Sequence, residues 1–248
     1  MKICIAQIRP VKGNVEQNIQ HHKGFIETAL SNQADMIIFP ELSLTGYEPE
    51  LAEQLATKKN DRRFNDFQKI SDEHQITIVA GMPLKSPDGI IIGMLIFQSE
   101  EGRTVYGKKY LHADEEPFFA SGSNLPWLLG EHNNIALAIC YELSVPAHSE
   151  HAYKSGAKVY LASVAKVQSG VEKASKELSN IAGKYSMTVL MANAVGEADG
   201  DICAGQSAVW NDKGELIGQL NDNHEGIIIF DTESQEITQM SQFLDSSP

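Results

Sequence analysis

Three residues far apart in the chain are of types that together could cleave an acyl bond. Cys140 follows the apolar run Ile135 to Ile139 and precedes Tyr141-Glu142. A thiolate is a strong nucleophile, and at a strand-to-helix junction the helix N-terminus stabilises it. The next backbone N–H, that of Tyr141, can then point at an oxyanion. Glu41 follows Met36 to Phe39 and Pro40. A carboxyl group held partly out of water has a raised pKa and passes protons near neutrality. Lys108 stands in Tyr106-Gly107-Lys108-Lys109-Tyr110-Leu111. An ammonium beside a reacting carbonyl stabilises the negative charge that develops there.

Taken singly, each residue has a plain alternative. Glu41 is equally a helix-start or surface carboxylate, and Lys108 and Lys109 a solvated charge pair. Cys140 is equally a small buried hydrophobe, as free cysteines usually are. His148 and His151 follow Cys140 closely, which makes a Cys–His pair a second arrangement to weigh. Cys4 lies inside an apolar run and reads as core. Cys203 stands in the polar stretch from Asp199 to Gly205, with no base near it in sequence.

The elements that must position these residues alternate. Lys2 to Ile8 is strand-like. Asn14 offers an N-cap with Gln17 placed for a capping box, and Val15, Ile19, His22, Ile26 and Leu30 recur at helical spacing. Met36 to Phe39 is a short buried-strand run that Pro40 ends. Arg63 to Glu73 is a polar helix. Ile76 to Ala80, Ile90 to Phe97, Ile135 to Ile139 and Val159 to Ala162 are strand-like. Val171 to Tyr185 is helical. Val189 to Ala192, Ser207 to Trp210, Leu216 to Leu220 and Gly226 to Phe230 close the series, with a turn at Asn211 to Gly214. The pattern predicts an α/β domain over residues 1–248, with a polar tail at 232–248.

Composition narrows the function classes. The formal net charge of −13 gives no electrostatic footprint for nucleic acid or an anionic membrane. No apolar run approaches the roughly 18 residues that span a bilayer. Three widely spaced cysteines form neither a disulfide framework nor a zinc site. A cytoplasmic protein without a metal is the expectation.

In this order the motifs resemble the nitrilase superfamily of carbon–nitrogen hydrolases. Pro40-Glu41 matches the family's early Pro-Glu. Tyr106 to Leu111 matches Tyr-x-Lys-x-x-Leu, and Cys140-Tyr141-Glu142 matches the cysteine motif. Ala80-Gly81, the stretch Glu115, Phe119 and Gly122, Asn193 to Gly196, and Gly205 to Ser207 extend the likeness from Lys2 to about Asp231. Ser144-Val145-Pro146 departs from the family's common Arg-Phe-Pro.

The resemblance implies a four-layer α-β-β-α sandwich and a homodimer or larger homo-oligomer whose C-terminal tail crosses the partner. It implies that Glu41 is the base, Cys140 the nucleophile, and that Lys108 and the Tyr141 N–H hold the oxyanion. Glu115 would orient Lys108, with Glu116 the alternative. Tyr47, Phe118, Phe119 and Val164 would line the pocket. No cofactor is implied. The expected substrate is a small-molecule amide; N-carbamoyl amines, nitriles, acyl transfer or an idle binding protein are the alternatives.

Overall fold

Alternation along the strands decides the layering. The computed structural model describes residues 1–122, 128–130 and 134–242. In chain order its first half runs β1 (Lys2–Gln7), α1 (Val15–Ser31), β2 (Met36–Ile38), α2 (Ala52–Leu55), α3 (Asn65–His74), β3 (Thr77–Ser86), β4 (Gly89–Gln98) and β5 (Gly102–Gly107). The second half begins with β6 (Leu128–Leu129), β7 (Ile135–Ile139), α4 (Pro146–Lys154), β8 (Val159–Val164), α5 (Gln168–Tyr185) and β9 (Thr188–Asn193). It closes with β10 (Val195–Ala198), β11 (Asp201–Ala204), β12 (Ala208–Trp210), β13 (Leu216–Gln219), β14 (Glu225–Asp231) and β15 (Ile237–Gln242).

Successive side chains of a strand face opposite ways. In β1, Ile3 and Ile5 join a core with Leu137, Ile139, Leu161 and Leu190 of the other half. Cys4 and Ala6 instead meet Val15, Ile19, Phe25 and Ile26 of α1. In β7, Ile135, Leu137 and Ile139 face the first half, whereas Ala136 and Ala138 meet Leu178, Ile181 and Ala182 of α5. Two sheets therefore face each other with helices outside, the four layers expected. A one-residue slip in any of these strands would exchange its two faces, which holds the register.

The first sheet has the order β15-β14-β1-β2-β3-β4-β5, and the second β13-β12-β9-β8-β7-β6; β10 and β11 form a separate hairpin. β1, β2 and β3 are mutually parallel, as are β7, β8 and β9. The segments after β2, β7 and β8 thus leave at the C-terminal strand ends, where open α/β sheets build sites. A broad surface cleft lined by Met1, Asp35, Thr77, Lys158 and Thr188 lies at the opposite ends.

Several elements escaped the sequence pattern. β5 is a mixed polar strand, and the hairpin containing Cys203 hides in a polar stretch. The segment after Asp231, expected as an arm, turns back and pairs as β15 along β14. Residues 243–248 of that tail lie outside the described residues. No described helix is long and apolar enough to cross a membrane.

Candidate active site

Each of the three chemical residues is presented by a strand end. Phe39 continues β2 through its N–H to the Val79 carbonyl, 2.9 Å. Pro40 has no N–H to donate, so pairing stops and the chain turns through Leu42, whose φ is +50°. This loop lies directly on Gly81 of β3. A β-carbon there would sit 2.3 Å from the Leu42 nitrogen and 2.9 Å from the Pro40 carbonyl oxygen. Glu41 is consequently buried.

Lys108 follows β5. Its N–H donates to the Ile92 carbonyl, 2.8 Å, and its carbonyl accepts from the Gly122 N–H, 2.6 Å. The side chain is fully buried. Its Nζ donates to Glu41 Oε1 at 2.8 Å and to Glu115 Oε1 at 2.5 Å. Glu115 also accepts from the Tyr47 hydroxyl, 2.9 Å, and from the His112 N–H, 2.8 Å. Glu116, the alternative, is exposed.

Cys140 ends β7 and opens the 3₁₀ turn Cys140–Ser144. Its φ of +42° lies in the left-handed region, an unusual conformation for a residue with a side chain. The Tyr141 N–H belongs to the first turn, where N–H groups have no partner within the helix. Glu142 braces this turn. Its Oε2 accepts from the Ile139 N–H, 2.9 Å, and its Oε1 from the Lys109 N–H, 2.7 Å. The Tyr106 hydroxyl donates to Glu142 Oε2, 2.6 Å.

Burial sets the electrostatics. Loss of water raises the Glu41 carboxyl; Lys108 opposes this, and Glu115 adds to it. Burial and then Glu41 push the Cys140 thiol up, while Lys166 and Lys108 pull it down. Burial lowers Lys108, but Glu41, Cys140 and Glu115 outweigh it, so its pKa is raised. The resting site therefore holds a neutral thiol, a charged lysine and two carboxyl groups sharing that lysine. Glu41 Oε2 accepts no hydrogen bond from any described residue, so one face of this carboxyl group is open.

The remaining expected residues separate. Tyr47 reaches the site through Glu115. Phe118 is exposed, while Phe119 is buried in the core between the sheets. Val164 is buried, and alternation along β8 turns it toward the helices, with Val171, Ala174 and Leu178. His148 is not paired with Cys140. Its Nε2 lies 2.8 Å from the Tyr106 hydroxyl and its Nδ1 2.8 Å from the Tyr160 hydroxyl. Among the described residues no cluster of three or more His, Cys, Asp or Glu is placed to hold a metal.

Lys166 was missed, and Asn193 was read only as part of a motif. Asn193 accepts from the Lys166 N–H, 2.8 Å, and donates to the Lys166 carbonyl, 3.1 Å. Lys166, like Lys108, pulls the Cys140 thiol down. The available signal was its place two residues beyond a buried strand.

A family model described as carbon–nitrogen hydrolase matches residues 2–242. The chain is 24% identical to a "Hydrolase in agr operon" of Staphylococcus aureus, covering 98% of this chain and 95% of that protein. It is 23% identical to the 2-oxoglutaramate amidase of Bacillus subtilis, covering 93% and 90%. It is 25% identical to a glutamine-dependent NAD(+) synthetase of Thermotoga maritima, covering 97% of this chain but 43% of that protein. Among solved structures, a cysteine-to-serine mutant of the Nesterenkonia AN1 amidase from the nitrilase superfamily superposes with a TM-score of 0.83. Identity is 22%, covering 95% of this chain and 92% of that one. Another mutant of that amidase, at TM-score 0.82 and 22% identity, covers 92% and 89%; it carries the acetamide moiety of fluoroacetamide on its active-site cysteine.

Proposed function

The chain belongs to the carbon–nitrogen hydrolase family, and on that footing we propose that it hydrolyses a small-molecule amide through a thioester on Cys140. One observation carries the reading: the Lys108 ammonium bridges Glu41 and Glu115 inside the protein, beside a cysteine held at φ +42°. An ion triad of this kind is costly to bury and repays that cost where charge must be placed.

Glu41 takes the thiol proton of Cys140 as sulfur attacks the amide carbon. The carbonyl electron pair moves onto oxygen, where Lys108 and the Tyr141 N–H stabilise it. Collapse breaks the carbon–nitrogen bond, and Glu41 returns its proton to the departing nitrogen. Water then loses a proton to Glu41 and adds to the thioester. Collapse of that intermediate expels the Cys140 sulfur, which is reprotonated, and the carboxylic acid leaves. One amide and one water become one acid and one amine or ammonia. The neutral resting thiol makes Glu41 necessary, since no thiolate waits at neutral pH.

The relatives with amidase names and the covalent adduct on the Nesterenkonia cysteine support amide chemistry for this chain. Three free cysteines support a reducing cytosol, and a homodimer or larger homo-oligomer belongs to the same reading. Ammonia release from an amide panel tests the function. Cys140→Ala and Glu41→Gln are expected to abolish it with the fold intact, and intact mass after quenching is expected to show an acyl adduct on Cys140. Full activity in either variant would reject the assignment.

A further inference from the structure

Four buried polar side chains that take no part in the reaction above form one line beside the Cys140 turn. The Tyr106 hydroxyl on β5 lies 2.6 Å from Glu142 Oε2 and 2.8 Å from His148 Nε2 on α4. The other ring nitrogen, Nδ1, lies 2.8 Å from the Tyr160 hydroxyl on β8. All four residues are buried. Tyr106 faces the core between the sheets, and Tyr160 the helices outside the second sheet. The line therefore joins both sheets to the turn that carries Cys140.

Counting donors gives the line one direction. Each hydroxyl has one proton, and a neutral imidazole has one N–H and one bare nitrogen. Burial lowers the His148 pKa to about 4, so the ring is neutral near pH 7. The Tyr160 hydroxyl makes no other hydrogen bond among the described residues, so its proton goes to Nδ1. Nε2 then carries the ring proton and donates to the Tyr106 oxygen, and Tyr106 donates to Glu142. In the opposite direction Nδ1–H would donate to Tyr160 and leave a buried O–H without an acceptor, a costly state. Nε2 would then take the Tyr106 proton, and Glu142 would keep its 2.6 Å contact only by carrying a proton itself.

The charge of Glu142 is thus tied to the tautomer of His148. As an anion Glu142 accepts from the Tyr106 hydroxyl, the Ile139 N–H and the Lys109 N–H together. Burial pushes its pKa up, and the Tyr106 hydrogen bond, the two N–H groups and the Lys108 charge hold it down. The other titratable groups facing the line are Lys109, His151 and Tyr110 beside His148, and Glu177 beside Tyr160.

We propose that Tyr160, His148 and Tyr106 are positioning residues for the reaction: by holding His148 as its Nε2–H tautomer they keep Glu142 an anion, and that anion sets the Cys140 turn against the segment after Lys108. The kinetic consequence rests on the amide-hydrolase reading of Cys140; the tautomer does not.

Two measurements on the full chain test it. The tautomer is read near neutral pH from the imidazole nitrogen chemical shifts of isotope-labelled histidine, with His148→Gln identifying the signal. A protonated Nε2 and a bare Nδ1 are expected; a ring protonated at Nδ1 overturns the proposal. The second is the pH profile of amide hydrolysis. Tyr106→Phe is expected to lower kcat at least about tenfold with KM little changed, and to raise the acid limb of kcat by about one pH unit, the size of one hydrogen bond to a charged group. His148→Leu is expected to move the limb the same way. His148→Gln, whose amide N–H can donate to Tyr106, is expected to restore it. Reduced stability with an unmoved limb in Tyr106→Phe and His148→Leu would mean a structural role alone and overturns the proposal. If no amide is hydrolysed, the hydrolase reading fails. The tautomer, and the same limb in the rate of Cys140 alkylation by iodoacetamide, then decide the positioning chain by themselves.

Discussion

Glu142 accepts a hydrogen bond from the backbone N–H of Lys109 at 2.7 Å. The residue two places after Cys140 therefore holds the residue next to Lys108, and through the Ile139 N–H it holds the strand end before Cys140 as well. One buried carboxylate thus sets the distance between two segments more than 30 positions apart. Glu142→Ala is expected to leave both N–H groups unpaired, at about 1–3 kcal/mol each. Thermal or urea unfolding measures that loss. Glu142→Gln keeps an acceptor and is expected to recover much of the stability and of kcat; equal loss in both variants would refute a positioning role.

Lys108→Met removes the cation that Glu41 and Glu115 share. Breaking a buried ion pair costs about 3–5 kcal/mol, and losing an oxyanion donor costs about 10²–10³-fold in kcat. The pH dependence has a definite sign. Without the lysine, burial raises the folded pKa of Glu41 further, and the stability tied to its protonated form is lost as pH rises through that value. The variant is therefore expected to be more stable to urea at pH 5 than at pH 7, relative to wild type. A difference independent of pH would contradict this.

Glu41 must be ionised to accept the thiol proton, and burial raises its pKa above the ordinary 4.5. The acid limb of kcat/KM is expected above that value. A limb at or below it would remove Glu41 from the role of base.

His148 is buried between two tyrosine hydroxyls, and burial lowers its pKa to about 4 from 6.5. Such a base is neutral in the fold and protonates more readily when unfolded. Stability is present above 6.5 and is lost as pH falls toward 4, by up to about 1.4 kcal/mol per pH unit. His148→Gln is expected to flatten that slope, read from urea midpoints between pH 7 and 4.

Gly81→Ala places a β-carbon against the Leu42 nitrogen. The loop bearing Glu41 must move, and a shift of about 1 Å costs roughly 10²-fold in rate. Activity is expected to fall far more than it does for an alanine at the exposed Gly24, which meets nothing nearby.

Much of this was legible in the chain. Met36 to Phe39 and Ile135 to Ile139 read as buried strands because unbroken apolar runs suit strands covered on both faces. The order of Glu41, Lys108 and Cys140 named the family through motifs whose residue types are set by the chemistry. β15 was not legible because its sequence is polar, as an edge strand's can be. The face that Val164 takes was not legible, because the direction a side chain faces depends on strand register, and a one-residue offset reverses it.

Sequence alone determined which residues are apolar at period two and which chemistry-bearing types occur, hence the layers and the family. Tertiary structure decided that Glu115 rather than Glu116 meets Lys108, and that Glu142 joins two loops. The reason is physical. Periodicity is local and survives in the order of residues, whereas the approach of side chains separated by tens of positions follows from how the packed sheets bring their strand ends together.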